Sequence, residues 1–207
     1  IEFREAICDK LERENGINFN PENILVSNGE KQSLYTACQA LFDYGDEVLV
    51  CKPYWVSFPE FIRLADAEPV LVKTTAENNF EVDFDDLASK LSNKTKGIII
   101  NNPSNPSGIC YDKNILCQIG DLALQHQFYI IADEAYDGLI YEEDSFSPFY
   151  QLDAKYFPIT ITTKTFSKTY AMTGHRVGYT IATPEFSSAL IKLQGHLTGN
   201  NCTFVQY

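Results

Sequence analysis

Lys168 stands in Thr165-Phe166-Ser167-Lys168, after a strand-like run containing Ile159 and Ile161, and Arg176 follows eight residues later. A lysine amine condenses with an aldehyde to an imine, while hydroxyls and a guanidinium hold a phosphate. Thr165, Ser167, Lys168 and Arg176 therefore suit a phosphorylated carbonyl cofactor. Such a site also needs an acid against the ring nitrogen, and Asp133 ends the strand-like run Phe128-Tyr129-Ile130-Ile131-Ala132. An imine-forming lysine with an acidic ring-nitrogen partner is the binding signature of pyridoxal phosphate. Tyr136, three residues on, can donate its phenol to the ring oxygen O3′. Taken singly, each residue has a plainer reading, such as a solvated lysine or a capping aspartate.

These side chains need elements to bring them together. Strand-like apolar runs recur at Ile24-Val26, Glu47-Cys51, Pro69-Lys73, Gly97-Asn101, Phe128-Ala132, Ile159-Thr163 and Val177-Ala182. Helical patterns lie between most of them. Glu2 to Asn15 ends at Gly16, a good left-handed terminator. Glu30 to Phe42 carries Leu34, Ala37, Cys38 and Leu41 on one face. Pro53 is placed to start a helix over Tyr54–Leu64. Asp83 and Asp112 can cap Phe84–Leu91 and Lys113–Gln125, and Thr183-Pro184 opens Glu185–Leu197. The longest irregular stretch runs from Glu142 to Phe157. Strands alternating with helices predict an α/β fold, a mixed, mostly parallel seven-stranded sheet with helices on both faces. In such a sheet ligands bind beyond the carboxyl ends of the strands, where the candidate residues fall.

Further segments sit at the same places in chain order: Ser27-Asn28-Gly29-Glu30-Lys31-Gln32, Lys52-Pro53-Tyr54-Trp55 and Asn102-Pro103-Ser104-Asn105-Pro106-Ser107-Gly108. They precede Asp133-Glu134-Ala135-Tyr136, Ser167-Lys168 and Gly174-His175-Arg176. The turn at Gly29 and Glu30 offers backbone N–H groups at a helix start, which hold anions; an ordinary Asn-Gly turn is the alternative. Glu30 must turn its carboxylate away from a phosphate bound there. Trp55, the only tryptophan, offers a flat wall, or a core residue. Prolines 103 and 106 fix the backbone so that the Asn105 amide can meet O3′.

This ordered set resembles the class I aminotransferases of pyridoxal-phosphate fold type I, closest to the bacterial-type aspartate aminotransferases. The resemblance runs from about the first helix to the last residue. It implies amino-group transfer from an amino acid to a 2-oxo acid, with Lys168, Asp133 and Tyr136 catalytic. It also implies that Trp55 stacks on the cofactor ring and that Lys31 reaches the distal carboxylate of a dicarboxylic substrate, with Lys31, Trp55 and Asn105 contacting substrate. Members are homodimers nearly twice this length, so 1–207 is expected to be the cofactor-binding large domain, without the family's N-terminal segment and C-terminal small domain. The family's α-carboxylate arginine lies in that small domain; here Arg4, Arg13, Arg63 and Arg176 are the only arginines. Two departures stand out. Glu30 replaces a glycine or serine, and His175 replaces an aromatic, for which packing behind the arginine is expected. Aromatic or prephenate transamination, C–S or cyclopropane-forming lyase chemistry, and a fragment that binds cofactor without turnover remain alternatives.

Composition bounds the rest. The 207 residues suit one domain, and 44% hydrophobic content is enough for a core. A net charge of −12 disfavours nucleic acid and anionic membranes as partners. No G-x-G-x-x-G or G-x-x-x-x-G-K-[ST] is present, which argues against nicotinamide and P-loop enzymes. The six cysteines show no metal-ligand spacing with the three histidines, so no metal is expected. They read as buried reduced thiols of a cytoplasmic protein, with a secreted disulfide framework as the minor alternative.

Overall fold

The computed structural model describes residues 1–141 and 146–207. Its strands are β1 (Ile24–Ser27), β2 (Glu47–Cys51), β3 (Glu68–Val72), β4 (Thr95–Asn101), β5 (Tyr129–Asp133), β6 (Thr160–Thr165) and β7 (Gly178–Ile181). They form one sheet in the order β1-β7-β6-β5-β4-β2-β3. β7 runs antiparallel to both neighbours, and every other adjacent pair is parallel. The helices are α1 (Glu2–Asn15), α2 (Glu30–Leu41), α3 (Ser57–Leu64), α4 (Phe84–Ser89), α5 (Lys113–His126) and α6 (Pro184–Leu197).

Both faces of the sheet are covered, which is why its strands read as apolar runs. Val48, Val50, Ile99, Ile131 and Ile161 pack with Leu34, Ala37 and Cys38 of α2, Phe58 and Ile62 of α3, and Leu190 of α6. The alternate residues Leu49, Ile98, Ile100 and Ile130 face Leu116, Ile119 and Ala123 of α5. α1 closes a third cluster through Ile7 and Leu11 against Ile24 and Ile181. Burying each large side chain contributes about 1.5–3 kcal/mol.

The helix boundaries follow local chemistry. Gly16 terminates α1 at φ 68 and ψ 16. Asp83, Asp112 and Thr183 cap α4, α5 and α6 through their side chains. α3 starts at Ser57, three residues later than Pro53 predicts. Tyr54 and Trp55 pack against the core in a non-helical approach, and Pro59 takes the third helical position, where its missing N–H costs nothing. β6 also starts late and extends to Thr165, because Ala154–Ile159 winds into a 3₁₀ turn. Of the expected loop at Glu142–Phe157, residues 142–145 lie outside the described residues. The remainder includes 3₁₀ turns at Phe149–Gln151 and Ala154–Ile159. The cysteines correct the expectation in part: Cys8, Cys38 and Cys51 are buried, whereas Cys202 is exposed. No described helix is long and apolar enough to cross a membrane.

Candidate active site

The sheet topology gathers the sequence candidates on one edge. β1, β2, β4, β5 and β6 end there, and β7, running the other way, begins there. Ser27 and Thr165 both pair with Gly178, Asn101 pairs with Asp133, and Asp133 pairs with Thr163. A cleft of about 200 Å³ opens at this edge. Glu30, Lys31, Trp55, Asn105, Asp133, Tyr136, Thr165, Ser167, Lys168 and Arg176 all line it.

Asp133 forms the floor, 3% exposed. Its Oδ1 accepts hydrogen bonds from Asn101 Nδ2 at 3.0 Å and the Ala135 N–H at 3.1 Å. Burial pushes its pKa up to about 6, and these donors act against that rise. A buried, oriented carboxylate of this kind suits a cationic ring nitrogen. Asn101 was missed in the sequence; its signal was its place as the last residue of the strand beside Asp133.

At the other end the backbone closes around a small space. Gly29 precedes α2 at φ 82 and ψ 157, a conformation essentially confined to glycine. A Cβ on Gly29 would lie 2.8 Å from Arg176 Cζ. A Cβ on Gly178 would lie 2.8 Å from the Gly29 carbonyl carbon. Arg176 itself is left-handed at φ 54 and donates to the Thr173 carbonyl at 2.8 Å and the Asn28 carbonyl at 3.5 Å. Thr165 Oγ1 accepts from the Ser167 N–H at 3.1 Å. Guanidinium, hydroxyls and the α2 N-terminus thus converge as an anion cradle. His175 is exposed, not packed behind the arginine, because the 3₁₀ turn at Thr173–His175 carries it on the surface.

Between floor and cradle stands Lys168, exposed, with Nζ 5.5 Å from the Tyr136 ring centroid. Asn105 Nδ2 donates to the Tyr136 hydroxyl at 3.4 Å, so the two candidates for O3′ lie side by side. Trp55 is half-buried, edge-on to Phe58 and Phe61. Lys31 Nζ lies 4.9 Å from its ring centroid. The Trp55 ring thus holds the ammonium at the cleft, where a cation can meet a substrate anion.

Glu30 turns its side chain under the cradle, where its carboxyl Oε1 accepts from Thr163 Oγ1 at 2.9 Å. On the opposite side of β5 and β6, Glu134 and Lys164 form a buried network the sequence reading did not find. Lys164 Nζ lies 3.1 Å from Glu134 and 2.8 Å from Asp137. Glu134 also accepts from the Phe149 N–H at 2.7 Å. Burial pushes Glu134 up to about 7 although Lys164 opposes it. Burial works to lower the Lys164 pKa, and Glu134, Tyr150 and Asp137 together carry it well above the usual value.

This strand order, with its cleft on one edge, defines the fold of the type I pyridoxal-phosphate enzymes. The chain belongs to the aminotransferase class I and II family, whose model matches residues 1–207. The aspartate/prephenate aminotransferase of Thermus thermophilus is 38% identical over 207 residues, covering 100% of this chain and 52% of that protein. The Bacillus subtilis aspartate aminotransferase is 36% identical over 206 residues, again 100% of this chain and 52% of the relative. A structure of the Thermus thermophilus aspartate aminotransferase with maleate superposes with a TM-score of 0.93 at 38% identity, covering 99% of this chain and 53% of that one. The chain therefore spans about half the length of the relatives it matches.

Proposed function

We propose that residues 1–207 are the cofactor-binding large domain of a pyridoxal-phosphate aminotransferase that acts on aspartate or another dicarboxylic amino acid. The observation that carries this reading is the single cleft uniting Lys168, Asp133 and the Gly29–Arg176 cradle. The residues present fit the cofactor: an anion cradle that a Cβ would obstruct, a buried acid opposite it, an aromatic wall and an amine between. When bound, pyridoxal phosphate supplies an electron sink for charge developing at the substrate Cα.

The chain's own residues do the rest. Arg176, Thr165, Ser167 and the Gly29–Glu30 backbone bind the phosphate. Asp133 holds the ring nitrogen protonated, because a neighbouring negative charge raises that nitrogen's pKa. Tyr136 and Asn105 donate to O3′, and Trp55 stacks on the ring. The Lys168 amine anchors the cofactor, then takes the proton from the substrate Cα as general base. Lys31 receives the distal carboxylate, a role that rests on the family resemblance; the dicarboxylic substrate class is in keeping with the Thermus relative having been solved with maleate, itself a dicarboxylate. A cytoplasmic homodimer completes the reading and rests on the family resemblance.

The test is a single-turnover assay on a chain extended to the relatives' length and loaded with pyridoxal phosphate. Aspartate should yield oxaloacetate, and Lys168→Ala should abolish the yield. Release of ammonia in place of amino-group transfer would indicate lyase chemistry and overturn the reading.

A further inference from the structure

Glu30 is the cleft residue to which that reading gives only a backbone role. The residue is 7% exposed and lines the cleft. It accepts from Thr163 Oγ1 at 2.9 Å, and it lines the cleft floor together with the Asp133 carboxyl. Thr163 is the strand partner of Asp133, so all three side chains meet at one point.

Two carboxyl groups buried against the same threonine are stabilised by sharing one proton, since like charges repel and only a protonated carboxyl can donate to its neighbour. The donors decide which group keeps it. Asp133 receives the Asn101 amide and the Ala135 N–H, both of which favour its anion. Among the described residues, Glu30 receives only the Thr163 hydroxyl. The proton therefore resides on Glu30 and the charge on Asp133. Burial first, and then the Asp133 charge, hold the Glu30 carboxyl well above the usual carboxylate range. The other charged groups around it are Asp137 beyond β5, Lys168 after β6, Arg176 before β7 and Lys31 on its own helix.

We infer that Glu30 is a positioning residue for Asp133, a neutral acid that donates to the Asp133 carboxylate and holds the pair at one negative charge at the floor of the cleft. The inference rests on the proposed cofactor site for its functional meaning, but the pair itself exists without cofactor. Loss of the shared proton would add a second negative charge beside Asp133, the residue that would face the ring nitrogen of a bound cofactor. Glu30→Gln retains a donor for Asp133 and an acceptor for Thr163, yet cannot titrate.

The experiment is a ¹³C-carboxyl NMR titration of cofactor-free protein. Two glutamate resonances should titrate anomalously high, Glu30 and the unrelated Glu134. Glu30→Gln should remove one and leave the other, and Asp133→Asn should move the Glu30 midpoint down. A high-titrating pair of resonances that survives Glu30→Gln, or a Glu30 midpoint unmoved by Asp133→Asn, would overturn the inference. The Asp133→Asn arm decides the question even where Glu30→Gln does not fold. The second readout is pyridoxal phosphate affinity against pH, which should show an inflection where Glu30 titrates, absent in Glu30→Gln. No inflection in the wild type would sever the pair from the cofactor. Because the NMR arm needs no cofactor, its failure leaves the cofactor assignment standing, and failure to bind cofactor leaves the pair standing.

Discussion

Gly29→Ala separates the phosphate cradle from general stability. Gly29 occupies φ 82 and ψ 157, a region whose cost to another residue is roughly 1–3 kcal/mol. At about 2–4 °C per kcal/mol for a domain of this size, its melting temperature should fall by roughly 2–12 °C. The new methyl group would also lie 2.8 Å from Arg176 Cζ, so the guanidinium must leave its place beside Asn28 and Thr173. Loss of one charge-assisted hydrogen bond costs about 1.5–3 kcal/mol. At 1.4 kcal/mol per tenfold, this weakens pyridoxal phosphate binding roughly 10- to 150-fold. Gly16→Ala is the control. Gly16 is also left-handed, at φ 68, but nothing lies within 4 Å of its Cβ position and it sits at the end of α1. That variant should lose about 1–2 kcal/mol of stability and no affinity. Fluorescence titration with pyridoxal phosphate reads the difference. Equal affinity in both variants would show that Arg176 and Gly29 do not form the phosphate site.

Other expectations follow from the same geometry. Asp133→Asn should slow proton transfer at the substrate Cα roughly 100-fold or more in the extended chain, while pyridoxal phosphate remains bound. Because burial raises the Asp133 pKa to about 6, the folded wild type binds more protons than the unfolded chain between the ordinary carboxylate range and pH 6. Its stability from this group falls as pH rises through that window, and the asparagine variant should lack that fall in denaturant titrations. Lys164→Met should destabilise the protein by about 3–5 kcal/mol at neutral pH, since Glu134 and Asp137 lose their buried cation. The deficit should shrink on acidification, because protonation removes the Glu134 charge, whose pKa already stands at about 7 beside Lys164. Lys31→Ala should raise KM for aspartate and glutamate more than for monocarboxylic amino acids, measured as a ratio of kcat/KM values.

Much of this was legible because periodicity and caps are local. Asp83, Asp112 and Thr183 mark helix starts within hydrogen-bond reach of their own backbone, and short continuous apolar runs mark strands covered on both faces. The cleft was legible for a related reason: in a parallel sheet, strand ends share an edge, so residues distant in sequence converge. What escaped was set by cross-strand register. Asn101 beside Asp133 and Thr163 beneath Glu30 depend on which residues face each other across β4, β5 and β6. The Lys164–Glu134–Asp137 network lies on the opposite side of those strands from the cleft. His175 was misjudged because a 3₁₀ turn, not a packed segment, precedes Arg176.

The central claim is that the Lys168 amine is the one that carries the cofactor. Incubating the protein with pyridoxal phosphate, reducing with borohydride and mapping the peptides tests it directly. The pyridoxyl group should be found on Lys168, with Lys168→Ala unlabelled yet still able to bind the cofactor through Arg176 and the Gly29 turn. Label on Lys31, which lines the same cleft, or on Lys164 behind the sheet, or no label at all, would contradict the account.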